Sequence, residues 1–231
     1  MIYDYTERKP MSPEIRAFMF DLDGVITDTA EFHYQSWKRL SEEVGIPFTR
    51  DDNEMLRGVS RRESLNRILK GRPIDEATAQ EWMDRKQGYY LGFLETIKPE
   101  DALPGVRDLL NEAQGMGIKL AVASASRNAR PVLEKLELIS MFDAIGDGYS
   151  VVHTKPAPDL FLWTAGRLDV TPLQAIVFED AEAGIDAALK GGFWTVGLGT
   201  ADVSRAHVRL PNLNGVRVAD VLAKVTAPTG A

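Results

Sequence analysis

The chain has 231 residues, 44% hydrophobic and 26% charged, and its 27 Lys and Arg against 34 Asp and Glu leave a net charge of -7. This balance excludes a wholly disordered chain and argues against a large nucleic-acid footprint, and the absence of cysteine removes disulfides, thiolate zinc sites and thiol nucleophiles together. No apolar stretch approaches the roughly 20 residues of a membrane span or resembles a signal peptide, so a cytoplasmic setting is expected.

In chain order, the opening MIYDYTERKPMSP is polar, interrupted by proline, and reads as a loose extension. IRAFMFDLDG follows, a short apolar run without period-two alternation that stops in carboxylates, the pattern of a strand buried on both faces. From about Phe32 to Ile97 the rhythm changes to three helical stretches with no strand-like run. The first sets His33, Trp37, Leu40 and Val44 on one side and offers Gly45 as a left-handed stop. Ser60 and Glu63 give the second a capping-box signature ahead of Leu65, Ile68 and Leu69. The third starts near Asp75 and carries Trp82, Tyr89, Tyr90, Phe93 and Leu94, which read as helical core rather than as a stacking platform.

After Pro104 and Gly105 comes a helix with Val106, Leu109, Leu110 and Ala113 on one side, closed by Gly117. Strand-like runs recur as IKLAVASAS at 118–126, weakly as FDAIG at 142–146, as AIVFED at 175–180 and as FWTVGLG at 193–199. Helical stretches separate them, one with Val132, Leu133 and Leu136, others at 160–168 and 183–189. The tail from Ala201 suggests only a short closing αβ piece. Alternation of this kind predicts an α/β chain, with a Rossmann-like, mostly parallel sheet and helices on both faces. An insertion of about 65 residues is too long for a crossover helix. Residues 32–97 are therefore expected to form an all-helical domain, and residues 1–31 with 98–231 the sheet-based core.

In such a sheet the ligand crevice lies beyond the carboxyl ends of the strands, where the strand order reverses. Two strand-like runs end there in acid pairs, Asp21 with Asp23 and Glu179 with Asp180. Neighbouring strands would crowd these carboxylates at a cost that a bound cation offsets. Aspartate is also common in turns after strands, which explains either pair alone equally well. All-oxygen ligands without cysteine or paired histidine favour a hard cation, magnesium first. Ser124 ends another buried strand and could cap a helix or face a phosphate. Lys155 lies in HTKPAPD, too rich in proline for a helix interior, and by residue type alone is a solvated surface lysine. His33 by itself reads as a buried, satisfied histidine, and Arg61 beside Arg62 as a surface arginine.

Phe20-Asp21-Leu22-Asp23-Gly24-Val25-Ile26-Thr27-Asp28-Thr29 resembles the first motif of the haloacid dehalogenase superfamily, and Ser124, Lys155 and Glu179-Asp180 stand where its other motifs would be. Asp28-Thr29-Ala30-Glu31-Phe32-His33, Gly58-Val59-Ser60-Arg61, Ala123-Ser124-Ala125-Ser126 and Lys155-Pro156-Ala157-Pro158-Asp159 extend the match. Over residues 17–199 the chain is similar to the superfamily's beta-phosphoglucomutases. The resemblance implies that Asp21 is a nucleophile forming an aspartyl phosphate and that Asp23 is the general acid and base, with a pKa raised toward neutrality. It implies magnesium held by Asp21, the backbone carbonyl of Asp23 and Asp180, with Glu179 as a ligand or its supporting partner. Gly24 would keep a Cβ away from the phosphoryl group. Lys155, joined to Pro156 by a cis bond, would neutralise that group and hold Asp21, with Ser124 and Ala125 beside it. Arg61, with Ser126, Arg127 and Asn128, would grip the substrate's other phosphate, next to Arg57 and Gly58 in the cap loop. His33 and Lys86 would meet the sugar or Asp23, and Thr29 would steer Asp23 as the helical cap closes.

The implied reaction interconverts beta-D-glucose 1-phosphate and D-glucose 6-phosphate through enzyme-bound glucose 1,6-bisphosphate, which is also the activating phosphoryl donor. The rivals are a magnesium-dependent sugar-phosphate phosphatase, which shares every core residue, and a catalytically silent phosphometabolite-binding protein on the same fold. The intact set Asp21, Asp23, Lys155 and Asp180 argues against the silent protein. The expected partner is a small sugar phosphate bound by a monomer, without nucleic acid or membrane. The chain departs from the family pattern at Arg57 and Arg127, where lysine is usual, and at Ala181, where serine is usual. Gly197-Leu198-Gly199 lacks the third glycine of a dinucleotide fingerprint, and no phosphate loop ending in GKS or GKT is present.

Overall fold

The computed structural model of the protein describes residues 14–199 and 202–226, so the expected N-terminal extension lies outside the described residues. Six strands form one all-parallel sheet: β1 (Ala17–Phe20), β2 (Lys119–Ala123), β3 (Ala144–Gly146), β4 (Ala175–Glu179), β5 (Trp194–Leu198) and β6 (Val208–Leu210). Their order is β3-β2-β1-β4-β5-β6, which reverses between β1 and β4. Every strand-like run is a strand, including the weak FDAIG segment. Period two is present after all, as an alternation of size instead of polarity. Phe18, Phe20, Leu120, Val122, Ile176 and Phe178 fill one face, and Ala17, Met19, Ala121, Ala123, Ala175 and Val177 the other.

Against the bulky face pack α5 (Val106–Gly115), α6 (Ala129–Lys135) and α9 (Val218–Thr226), while α7 (Asp159–Leu168) and α8 (Glu182–Lys190) cover the face of small residues. The apolar stripe of α5, Val106, Leu109, Leu110 and Ala113, is wholly buried, and Gly117 takes a positive φ of 75° just past its end. The short closing αβ piece expected after Ala201 is β6 followed by α9, and β6 is a weak signal on its own because it is three residues long and only Val208 is buried. Among the described residues no helix is long and apolar enough to cross a membrane.

Between β1 and α5 lies the inserted helical region, and here the expected three helices are corrected to four: α1 (Ala30–Glu43), α2 (Arg50–Glu54), α3 (Arg61–Leu69) and α4 (Glu76–Leu94). Five residues are too few for α2 to show a period, and it is fixed instead by a reciprocal cap between Thr49 and Asp52. The capping box expected at α3 is only half formed. Ser60 accepts from the Glu63 N–H at 3.2 Å, but the Glu63 carboxylate turns to Arg67 Nε at 2.9 Å. Trp37, Leu40, Leu65, Ile68, Ala79 and Met83 form a separate apolar cluster, with Trp82 and Tyr89 packed on it. α4 spans two cores, because its later residues Tyr90 and Leu94 join the cluster on the bulky sheet face. The insertion is thus anchored along one helix as well as tethered at both ends.

Candidate active site

Because β1 pairs with β4, register Phe20 to Phe178, the acids that follow them meet where the strand order reverses. Oxygens of Asp21, Glu179 and Asp180 lie within 4.8 Å of one another, and all three residues are buried. The buried Lys155 ammonium enters between them, donating to Asp21 Oδ1 and, at 2.8 Å, to Glu179 Oε2. Burial alone would drive the Lys155 pKa down, but the two carboxylates hold it above its ordinary value. The expected cis bond between Lys155 and Pro156 is present. Burial and the Asp21 charge push Asp180 up, and burial pushes Glu179 up against the pull of Lys155. Three buried carboxylates, all-oxygen and facing Lys155 and, at Asp180, Arg57, fit a hard divalent cation such as magnesium. Gly24 is required by geometry: its φ is +83°, and a Cβ there would overlap the Asp180 carboxylate.

The Asp23 side chain turns away from that cluster. Thr29, at the start of α1, donates its hydroxyl to Asp23 Oδ1, and the buried Tyr90 hydroxyl donates to Thr29 Oγ1 at 3.2 Å. Burial and the neighbouring Asp21 charge push the Asp23 carboxyl up to about 7. His33 Nε2 faces Asp23 Oδ2 at 3.8 Å, and its Nδ1 lies 2.8 Å from Lys86 Nζ. With Nδ1 accepting from Lys86, the ring proton is assigned to Nε2, toward Asp23. Lys86 is itself buried over the rings of Tyr90 and Trp37, at 4.7 and 5.3 Å from their centroids. Burial and Arg61 hold its pKa well down, and burial with Lys86 and Arg61 does the same to His33.

A cavity of about 540 Å³ runs from Asp21 and Asp23 to the helical region. Arg61, from the start of α3, lines it together with Ser124 to Asn128, which join β2 to α6, and Ser124 follows the strand end next to that of Asp21. Ser124 does not cap the helix: its Oγ accepts from the Ser126 N–H, Ser126 Oγ accepts from Asn128 N–H, and Asn128 holds the cap position. The two hydroxyls thus brace the loop's own backbone where it lines the cavity. Arg127 lies over the Tyr149 ring at 4.9 Å. Arg57 and Gly58 line the cavity from the loop before α3, but the partners of Arg57 are Asp180 Oδ2, at 2.9 Å, and Glu54. Arg62 pairs with Glu76 in the ordinary surface manner.

The sequence of residues 15–192 matches the family model for haloacid dehalogenase-like hydrolases. The chain belongs to that family. It is 46% identical over 189 residues to a beta-phosphoglucomutase of Bacillus subtilis, covering 80% of this chain and 84% of that protein. It is also 32% identical over 180 residues to a phosphorylated carbohydrates phosphatase of Thermotoga maritima, covering 77% and 82%. Among solved structures, a beta-phosphoglucomutase from Clostridium difficile superposes with a TM-score of 0.88 at 38% identity, covering 91% of this chain and 97% of that one. Family membership and the buried acidic cluster make this haloacid dehalogenase-like protein an enzyme.

Within this family member, the residues singled out by motif converge as two groups. Asp21, Lys155, Glu179 and Asp180 interlock at the strand ends, and Thr29, His33 and Lys86 gather on Asp23. Asp23 stands outside the carboxylate triad, so only its backbone carbonyl remains a candidate metal ligand. Two residues at the site carry no motif signal. Tyr90 holds Thr29, and Gln87 bonds both Arg61 and Asn128. Helical spacing contains the signal for Tyr90, which is i+4 from Lys86 and so shares its face.

Proposed function

We propose that the protein is a mutase that interconverts beta-D-glucose 1-phosphate and D-glucose 6-phosphate through enzyme-bound glucose 1,6-bisphosphate. The observation that carries this reading is the two-ended cavity. One end holds a carboxylate nucleophile candidate, Asp21, and the other holds Arg61 and the Ser126 to Asn128 loop, a second set of groups suited to phosphate. Hydrolysis of a phosphate ester needs only the first end. The similarity to beta-phosphoglucomutases supports the same reading.

In this mechanism phosphorylated Asp21 passes its phosphoryl group to the C6 hydroxyl of beta-glucose 1-phosphate as Asp23 takes the hydroxyl proton. The bisphosphate then presents its other end. Asp21 attacks the 1-phosphate, and Asp23 returns the proton to the departing O1. A carboxyl near pKa 7 can both give and take that proton at neutral pH. Lys155 fixes Asp21 and counters charge on the phosphoryl oxygens, and Thr29, backed by Tyr90, orients Asp23. Magnesium, held by Asp21, Asp180 and the Asp23 carbonyl with Glu179 in support, would offset phosphoryl charge as Asp21 approaches. Residues 32–97 act as a cap over the core of residues 1–31 and 98–231, excluding water during both transfers. The protein works as a cytoplasmic monomer on this small substrate, without nucleic acid.

A second reading, a sugar-phosphate phosphatase, is favoured by the similarity to the Thermotoga maritima phosphatase. Arg61→Ala separates the two. Mutase kcat/KM should fall roughly 100-fold or more, about 3 kcal/mol of transition-state stabilisation, while phosphate release from acetyl phosphate, which has no second phosphate, changes much less. Equal losses in both assays would remove Arg61 from substrate recognition.

A further inference from the structure

Gln87 lies on α4, next to Lys86, and its amide spans the gap between the helical region and the core. Its Oε1 accepts from Arg61 Nη2 and, at 3.2 Å, from Asn128 Nδ2, while its Nε2 donates to Asn128 Oδ1 at 2.6 Å. The two amides therefore pair reciprocally. Asn128 occupies the cap position of α6, where asparagine ordinarily satisfies the helix's own N–H groups, yet its side chain makes no such bond. Its amide is committed to Gln87 instead.

Arg61 shows the second half of the device. The guanidinium is partly buried, and among the described residues it forms no ion pair with a carboxylate. Burial and the Arg127 charge hold its pKa down against a weaker pull from Asp84, and no described carboxylate is paired with it directly. A neutral amide accepts one N–H of Arg61 without cancelling the guanidinium charge. A glutamate in the same position would cancel it.

We propose that Gln87 is a positioning residue, which clasps the helical region to the core through Asn128 and holds Arg61 in place for a second phosphate, with its neutrality reserving the cation for that phosphate. This rests on the mutase reading above and deepens it. Ligands with a phosphate at each end gain from the clasp, and ligands with one phosphate, which can sit at the Asp21 end, gain little.

The test is calorimetric, in the full-length chain carrying Asp21→Asn to silence chemistry. Binding of glucose 1,6-bisphosphate and of glucose 6-phosphate is measured for that background, then with Gln87→Leu and with Gln87→Glu added. The affinity advantage of the bisphosphate should shrink about threefold for Leu and about tenfold or more for Glu, the range expected for one lost hydrogen-bonded contact and for one competing ion pair. Thermal stability should move the other way for Glu, which gains a pair with Arg61, and this separates competition from misfolding. An advantage unchanged within about twofold in both variants would overturn the proposal, as would parallel losses for both ligands. A background that shows no preference for the bisphosphate would overturn the mutase reading and take this proposal with it.

Discussion

The two ends of the cavity are built on opposite electrostatic plans. At the carboxyl ends of β1 and β4 these strong charges have opposites within reach: Lys155 against Asp21 and Glu179, Arg57 against Asp180. On the side of the helical region, Lys86 is lodged against aromatic rings and a neutral histidine, and Arg61 against an amide. The first arrangement holds the candidate nucleophile Asp21 still and needs no substrate to do so. The second is a set of desolvated cations whose natural completion is an anion brought in from outside. The division teaches that one end of the cavity is electrostatically complete in itself and the other is not.

The largest effect should come from breaking the self-neutralised end. Lys155→Met leaves Asp21 and Glu179 buried without their ammonium, and the loss of stability should be about 3–5 kcal/mol by urea unfolding. A change within about 0.5 kcal/mol would show that these charges are solvated and would dissolve the contrast between the two ends. Next in size, Asp180→Ala should cost about a thousandfold in turnover and abolish magnesium binding by calorimetry while the far-ultraviolet circular dichroism is kept. Full turnover after stringent chelation would exclude a metal at the triad.

Asp23 sharpens the comparison through pH. Its folded pKa of about 7 lies above the ordinary carboxylate value of about 4, so the native state binds this proton more tightly than the unfolded chain. Stability therefore falls as pH rises from about 4 to 7, and the cost is complete above 7, with an upper limit of about 4 kcal/mol reduced by partial exposure. Asp23→Asn should remove it. In chelator, the variant should gain on the wild type between about pH 4 and 7, and a pH-independent difference would contradict the raised pKa. The smallest effect is expected at the joint of the two regions. Thr29→Val deletes the hydroxyl between Asp23 and Tyr90 and should lower kcat about tenfold with little change in KM.

What could be read from the sequence follows from how far each signal is local. β1, β2, β4 and β5 are legible because a strand buried on both faces must be an unbroken apolar run, and the site acids are legible because they end two of those runs. α5 is legible from its Pro104-Gly105 start and four-residue stripe. α2 is not, since its single turn rests on Thr49 and Asp52 rather than on packing. The half-made box at Ser60 fails for a local reason too, because Arg67 one turn on outcompetes the backbone for Glu63. Side-chain pairings across the fold carry no such signature. Arg57, expected near the second phosphate, is taken up by Asp180, 123 positions away, and Gln87 by Asn128, 41 positions away. Only the folded cavity brings those partners together.

The central claim is that the cap end commits the phosphoryl group to sugar rather than to water. It is tested most directly by supplying beta-D-glucose 1-phosphate with magnesium and a trace of glucose 1,6-bisphosphate, and following D-glucose 6-phosphate and free phosphate in the same reaction. The account predicts that glucose 6-phosphate accumulates in large excess over phosphate. Rapid phosphate release with negligible glucose 6-phosphate would contradict it and assign the protein to the phosphatases.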